Sequence, residues 1–529
     1  MAVAEKGRGS SETKGPQVEG ASSYPPENYA WYVVIILMIV YIFSFIDRQI
    51  LALLAGPMKA DLGISDSQMS YLMGASFGIF YAIFGIPMGR LADSKSRRAI
   101  VAAGLVAWSI MSAGCGIAKN YWQLLAFRVG VGVGEATLSP SAYSMITDYF
   151  KPQRLALAIS VYGAGIYIGS GMAFLLGAVV VQFATERGPM DIAFIGTVRP
   201  WQLVFFLIGL PGAIFGLALF TVREPLRRGL GKAGAAHQAV PVGEVKSYVV
   251  QNWKTFLCHN VGFAMLSFIG YGAAAWIPEF YIRTHGWERG DTGKLYGMAV
   301  IIFGTAGIIY GGELSGWLAD GGYKRSRGRW TPAIAILLAM AIIWPLTLTN
   351  WVSIPNPTLL IGIYVGLFAL FLVYDRLLCV LLDKTATTDS KMRAGFFAAA
   401  AHLPVGLAFP LVNDSTLAFG IMSLSAFALA MPFGVAPAAI QEMMPNRMRG
   451  QASAIYLFVV NLIGLGLGPS AIAWCTDYLF KDESMIRYSM ALTGTIAGVV
   501  SVVLLSIGLG QFRRSLALRD AWGAASASI

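Results

Sequence analysis

The chain has 529 residues, 56% hydrophobic and 13% charged, where an ordinary soluble domain carries about 25% charged residues. That composition excludes a soluble globular protein and points to membrane-spanning helices. A formal charge of +11 would suit nucleic acid and four cysteines a metal or disulfide framework. The basic residues instead follow a membrane topology, and Cys115, Cys258, Cys379 and Cys475 sit in apolar runs without paired spacing. Neither a nucleic-acid partner nor a metal is expected.

Residues 1–28 are polar and lack the apolar core of a cleaved signal, which predicts a disordered cytoplasmic tail. Apolar runs of spanning length, roughly 20 residues, follow at Trp31–Leu54, Met69–Met88, Ala99–Ala118, Tyr121–Tyr149, Leu155–Phe183 and Trp201–Val222. These six make a first half, residues 29–222. A basic, Gly-containing stretch, residues 223–252, reads as a cytoplasmic linker. Eight more runs fit Phe256–Ile282, Leu295–Leu318, Thr331–Asn350, Thr358–Leu382, Ala394–Val412, Thr416–Ile440, Gln451–Trp474 and Tyr488–Gly510. They define a second half, residues 253–512, and a cytoplasmic tail, residues 513–529.

Alternating these spans puts 27 of the 39 Lys and Arg residues on the side of the two termini and 9 on the other, with Arg48, Arg128 and Arg376 inside spans. The positive-inside rule therefore makes both termini cytoplasmic and accounts for the basic surplus. The chain also repeats itself. "GRLADSKSRR" (Gly89–Arg98) returns as "GWLADGGYKRSRGR" (Gly316–Arg329), and "PQR" at Pro152 as "PNR" at Pro445, the second pair lying 66 residues further apart than the first. An insertion of that size holds two spans, so six plus six spans with an extra two-helix hairpin in the second half is expected, at residues 358–412.

At these residues the chain resembles the major facilitator superfamily, and within it the Spinster-like lysolipid and sphingolipid transporters of the bacterial type. The resemblance rests on "GRLADSKSRR", on "RVGVGVGEA" (Arg128–Ala136), on "DRQILALL" with "ISDSQMSYL", and on Gln441–Ser470, "QEMMPNRMRGQASAIYLFVVNLIGLGLGPS". It implies an all-α integral membrane protein of two six-helix halves that rock about a central site. It also implies that the loop motif acts as a latch holding one conformation within its own half. The latch residues would be Gly89, where helices approach closely, with Asp93, Arg97, Arg98 and the repeat's Asp320; a basic turn that only sets topology is the competing reading.

Charges inside the spans carry the functional argument, because an ionisable residue near mid-bilayer costs roughly 2.5–3.5 kcal/mol and usually faces a bundle interior or a wet cavity. At standard helical rise Asp47 and Arg128 both lie about 10 Å below the outer face, and Glu135 returns to Arg128's helix face about 10 Å deeper. Asp47 and Arg48 project roughly 100° apart, so they do not neutralise one another on one face. By the family's arrangement the first and fourth spans are neighbours. The expectation is a cluster in which Asp47 and Glu135 exchange protons while Arg48 and Arg128 hold an anionic substrate group by bidentate hydrogen bonding. A fixed Asp47–Arg128 ion pair that only orients helices is the alternative.

Glu279 and Arg283, one turn apart near an outer end, are a candidate outer gate or an interfacial pair. Asp375 and Arg376 suggest a local structural pairing, and His259 and His402 hydrogen-bonded core residues. The glycines from Gly163 to Gly177 and from Gly464 to Gly468 permit tight helix packing.

The sequence thus predicts a secondary active transporter, proton-coupled and not an enzyme, for no nucleophile and base constellation is present. It has no cofactor beyond the proton gradient, and is a monomer in the cell membrane. Its substrate is an amphipathic anion, which the Spinster resemblance narrows to a lysophospholipid or sphingoid-type lipid. A symporter or facilitator of a small soluble organic anion is the alternative, and a non-transporting membrane receptor a more distant one.

Overall fold

The computed structural model describes residues 24–150, 152–192, 196–226, 242–320, 328–381, 386–445 and 448–527. Among these, thirteen helices are long and apolar enough to cross a membrane. They are α1 (Glu27–Leu62), α2 (Asp66–Ala92), α3 (Arg97–Cys115), α5 (Pro152–Arg187), α6 (Pro200–Thr221), α7 (Trp253–His285), α8 (Arg289–Asp320), α9 (Gly328–Leu348), α10 (Pro357–Val380), α11 (Ser390–Leu411), α12 (Ser415–Glu442), α13 (Gln451–Phe480) and α14 (Glu483–Ala521). The remaining expected span, α4, is broken at Ala136 and Thr137 into two arms, Tyr121–Glu135 and Leu138–Tyr149. Every expected span therefore has its helix.

The ends of the chain differ from expectation. Most of the 1–28 tail lies outside the described residues, and α1 already begins at Glu27. The linker contains a helix, Val242–Gln251, whose Tyr248 hydroxyl donates to the Met443 carbonyl at 2.7 Å. Residues 227–241, between α6 and that helix, are outside the description. The presumed tail from residue 513 continues α14 as helix to Ala527, where Arg519 reaches back to the Glu442 carbonyl at 2.6 Å.

The first half packs α1 on α5, α3 on α4 and α6, and α2 on α4. The second half repeats that plan with α7 on α13, α11 on α12 and α14, and α8 on α12. This equivalence makes α11 the counterpart of α3, so the pair without counterpart is α9 and α10, one span earlier than residues 358–412. An ion pair repeated at the end of the bundle that carries the termini (the terminal end) supports this register. Arg97 at the start of α3 meets Asp148 at the end of α4, and Lys391 at the start of α11 meets Glu442 at the end of α12, both pairs spanning 51 residues of chain. Length alone could not say which two of four consecutive spans were extra.

The α9–α10 pair is the least buried part of the bundle and is fastened at both ends. Lys294 of α8 donates to the Trp351 carbonyl at 2.9 Å, the Ser353 N–H donates to Asp291, and Arg329 faces the buried Asp375 at 3.9 Å. Asp375 is thus partnered across the hairpin, while its neighbour Arg376 is exposed.

The halves meet along α5 with α8 and α2 with α13. Where α5 crosses α8, a Cβ on Gly297 would stand 2.6 Å from the Gly171 carbonyl, and one on Gly171 2.6 Å from that of Gly297. Only glycine permits the approach. The helices at these seams, α2, α8 and α13, each carry a π-helical turn, at Tyr71–Ala75, Val300–Gly304 and Asn461–Leu467, a feature that often marks functional positions.

The two repeated ion pairs differ in burial, with side-chain exposures of 1% and 7% for Arg97 and Asp148 against 27% and 31% for Lys391 and Glu442. Breaking a buried pair strands a charge and costs about 3–5 kcal/mol, whereas a partly exposed one contributes about 1 kcal/mol or less. Arg97→Met is expected to lower the thermal unfolding midpoint in detergent strongly and Lys391→Met only slightly, as tryptophan fluorescence would record; equal shifts would contradict the account.

Candidate functional site

Four charged side chains, Asp47, Arg48, Arg128 and Glu135, are buried inside the first half. What brings Glu135 there is the glycine pattern of α4. A Cβ on Gly132 would stand 2.9 Å from the Phe77 carbonyl of α2, and one on Gly134 2.8 Å from Trp108 Cβ of α3, so α4 lies directly against both helices and ends its first arm at Glu135. On α1, Ser44 and Arg48 are one turn apart and share a face. Both converge on one oxygen of Glu135: the Ser44 hydroxyl donates to Oε2 at 2.5 Å, and Arg48 donates from Nε and Nη2 at 2.7 Å each. The Arg48 guanidinium also lies over the rings of Phe45, Phe77 and Tyr81, 4.5–4.9 Å from their centroids, a desolvated cation–π cage. The other carboxylate oxygen, Glu135 Oε1, is buried without a hydrogen-bond partner.

The alternative arrangement, a fixed ion pair between the Asp47 carboxylate and Arg128, is not found among the described residues. Arg128 donates from Nη1 to the Asp47 backbone carbonyl and from Nε to the Leu72 carbonyl, each at 3.2 Å. The Asp47 carboxylate instead accepts from the Ser112 hydroxyl of α3 at 2.7 Å. Arg128 is fully buried and ties α4 to α1 and α2. The adjacent pair on α1 is split as helical geometry requires, Asp47 facing α3 and Arg48 facing α2 and α4.

A cavity of about 100 Å³ lies between the halves. Its walls come from α1, α5, α7, α8 and α12 and are mainly apolar and aromatic, including Phe45, Tyr167, Phe174, Tyr271, Tyr296 and Phe433. A smaller space of about 20 Å³ adjoins it through Gln49 and Tyr271, and Arg48 lines that space. Of the four buried charges, Arg48 alone lines either of these two cavities.

Polar groups close the end of the bundle opposite the termini, the far end. Asp66, at the first turn of α2, accepts from Lys59 of α1 and from both terminal nitrogens of Arg283 of α7, at 2.6 and 3.0 Å. Glu279 accepts from Arg283, from Arg289 at 2.6 Å and from the Gly56 N–H at 3.1 Å. Arg289 also donates to the Leu53 carbonyl at 2.7 Å, Lys59 pairs with Glu483 at 2.8 Å, and Asp477 accepts the Ser67 N–H at 2.6 Å. The expected pair of Glu279 and Arg283 exists and also joins the two halves. Sequence reasoning missed Asp66, Lys59 and Arg289; the capping box formed by Ser65 and Gln68 marked the helix start that presents Asp66.

At the terminal end, Arg97 gathers Asp148, Ser144, Glu224 at 2.8 Å and the Pro225 carbonyl. It thus joins α3, α4 and the exit of α6. Arg98 contributes its backbone N–H to Glu224 and its guanidinium to the Val222 carbonyl. Gly89 is not needed for close packing, since a Cβ there would meet only Pro140 at 3.9 Å. The Asp93 side chain lies outside the described residues, and Asp320 is exposed at the end of α8. Partial burial pushes the Glu224 carboxyl up, but the Arg98 N–H, the Arg97 guanidinium and the Ser96 hydroxyl outweigh it and hold it below the usual range.

The sequence model of the Major Facilitator Superfamily matches residues 37–378. An MFS-type efflux pump of Mycolicibacterium smegmatis is 26% identical over 490 residues, 92% of this chain and 94% of that protein. A probable L-galactonate transporter of Escherichia coli is 23% identical, over 73% of this chain and 83% of its own length. In fold, the chain is similar to a bacterial homologue of the human lysosomal transporter Spinster, in an inward-facing and unoccupied conformation, with a TM-score of 0.63, 23% identity and coverage of 93% and 98% of the two chains.

Two outcomes follow from the charged ends. Removing the far-end keystone by Asp66→Asn is expected to raise labelling of a Gln49→Cys reporter by a membrane-impermeant thiol reagent added at the far side, about tenfold for each 1.4 kcal/mol by which the closure is weakened; unaltered labelling would show that the network does not hold the halves together. Because the Glu224 carboxyl is held low, the stability it contributes is complete above the ordinary carboxylate range and is lost as pH falls through its lowered value. Thermal melts at falling pH should show this loss in the parent chain and a smaller one in Glu224→Gln.

Proposed function

The chain belongs to the Major Facilitator Superfamily and is a multi-pass membrane transporter of the secondary type, not an enzyme, and from that premise we propose that it moves an amphipathic anion in exchange with or together with protons. The observation that carries this reading is the Arg48–Glu135 pair: a buried ion pair whose cation borders a cavity with apolar, aromatic walls. The anionic group of the substrate competes with Glu135 for Arg48, whose planar fork suits phosphate or carboxylate. A carboxylate deprived of its guanidinium in a low-dielectric site takes up a proton, so substrate binding and protonation are linked through one residue. Asp47, held by Ser112, is the second proton-carrying group. Arg128 positions α4 against α1 through the Asp47 carbonyl and does not touch the substrate.

The two halves rock about this site. Asp66, Arg283 and Glu279 form the outer gate at the far end, and the Arg97 cluster is the latch at the terminal end. Both termini are cytoplasmic by the distribution of basic residues, so the described state is closed to the outside. The protein works as a monomer in the cell membrane. The aromatic walls favour a single-chain lipid such as a lysophospholipid or a sphingoid base phosphate. A small organic anion is the second reading; the likeness to a probable L-galactonate transporter speaks for it, and Arg48 would bind its carboxylate in the same way.

In proteoliposomes with and without a pH gradient, gradient-dependent uptake of a lysophospholipid panel, set beside galactonate, decides between the two readings. Glu135→Gln and Asp47→Asn are each expected to abolish the response to the gradient while the folded protein still exchanges substrate down its concentration gradient. If both variants keep their full pH dependence, the coupling scheme is wrong.

A further inference from the structure

Away from the cavity and the two charged closures, the surface carries a patch at a membrane boundary where cations outnumber carboxylates. It lies at the terminal end of the second half, where α7 and α14 run side by side and the Thr255 and Ser515 hydroxyls meet at 2.7 Å. Lys254 and Arg514, each the chain neighbour of one of those residues, are exposed. Trp253, at the start of α7, is 55% exposed, and the Lys254 ammonium lies 5.8 Å from its ring centroid. Beside them Arg513 and Arg393 of α11 both approach Asp389, at 3.5 and 2.6 Å.

The pattern along α14 places this patch relative to the bilayer. The exposed residues Ile496, Val499, Val503 and Ile507 recur at helical spacing and make an apolar stripe that faces lipid. Two turns on, the same stripe reaches Arg514. On α7 the exposed Leu257 lies one turn inside Trp253. The lipid-facing surface thus changes from apolar to cationic at the level of Trp253, and tryptophan is a residue of the headgroup region. Nearby carboxylates are already engaged: the buried Asp389 by Arg393 and Arg513, Glu442 by Lys391, and Asp520 by Arg519. Neither Lys254 nor Arg514 forms an ion pair among the described residues.

We propose that Lys254, Arg514 and Trp253 bind the headgroup of an anionic phospholipid in the leaflet at the terminal end, with its acyl chains along the apolar stripe of α14. Lys254 supplies a point charge and Arg514 a planar fork, and both suit a phosphodiester. A zwitterionic headgroup brings its own cation up against these two, whereas an anionic one does not, so the site selects by net charge. The stripe below the cations argues for a lipid over a soluble phosphate. Because the site lies on the lipid-facing surface and not in the central cavity, its ligand is a resident of the bilayer and is independent of the transported substrate. The same stretch of α14 carries Arg519, which holds the Glu442 carbonyl at the end of α12, so a lipid bound there steadies the fastening of α7, α12 and α14.

The test measures lipid retained by the detergent-solubilised full chain in native mass spectrometry, with phosphatidylglycerol and phosphatidylcholine of the same acyl chains added at equal concentration. Phosphatidylglycerol is expected to be retained about twentyfold better, the product of two cations near an anionic lipid at about fivefold each. Lys254→Gln and Arg514→Gln should each lower its retention about fivefold, while Lys254→Arg and Arg514→Lys keep it and phosphatidylcholine is unaffected. Arg187→Gln, which removes an exposed cation from the far end of the bundle, should change nothing. Equal retention of the two lipids, or a preference that survives Lys254→Gln and Arg514→Gln combined, overturns the inference, and so does an equal loss in Arg187→Gln, which would mark a general effect of charge. Glycerol 3-phosphate is expected not to displace the lipid; displacement would make the site one for soluble phosphates and overturn the lipid assignment.

Discussion

A guanidinium has no low-energy place inside a bilayer unless a partner is built for it, and the partner of Arg48 is Glu135. Much of the first half is arranged to make that contact. Gly132 and Gly134 let α4 approach α2 and α3 closely, α4 breaks just after Glu135, Ser44 supplies a second donor one turn from Arg48, and the rings of Phe45, Phe77 and Tyr81 surround the cation. Breaking a buried pair of this kind costs about 3–5 kcal/mol, a large fraction of the stability of any fold. The cation of this pair also lines a small space that adjoins the central cavity.

Alternation between two states needs closures that hold and yet can be released. At the far end the closure is electrostatic and concentrated: Asp66 receives two cations from two helices, and Glu279 receives two cations and a backbone N–H. Beneath it the glycine crossing of α5 and α8 brings the two backbones together. Charged pairs are well matched to a gate, because water replaces their partners when the halves part, whereas an interdigitated apolar closure would expose its surface to water.

The second half shows which features of the repeat carry function and which carry architecture. The terminal-end ion pair recurs at the same spacing, so both halves fasten the same two helices in the same place. The intramembrane charges do not recur: where α3 contributes Ser112 to Asp47, α11 carries His402, hydrogen-bonded to Ser425. The halves share a frame and differ in where their buried charges lie. The α9–α10 pair lies outside this frame, pinned to α8 at its turn and closed on itself at the other end, and lengthens the chain without altering the repeat.

The sequence by itself determined the number of spans, the division into halves, the presence of an insertion and the residues that had to matter, because hydropathy, charge asymmetry and the cost of buried charge are properties of residue types at given spacings. Helical rise was enough to see that Asp47, Arg48, Arg128 and Glu135 belong together. The tertiary structure decided who pairs with whom, since the rotation of α1 against α4 is set by packing that spacing does not report: Arg48 took Glu135, Asp47 turned to Ser112, and Arg128 was left to backbone carbonyls. It likewise decided which spans are extra, because four consecutive apolar runs of similar length are interchangeable to hydropathy but not to their neighbours.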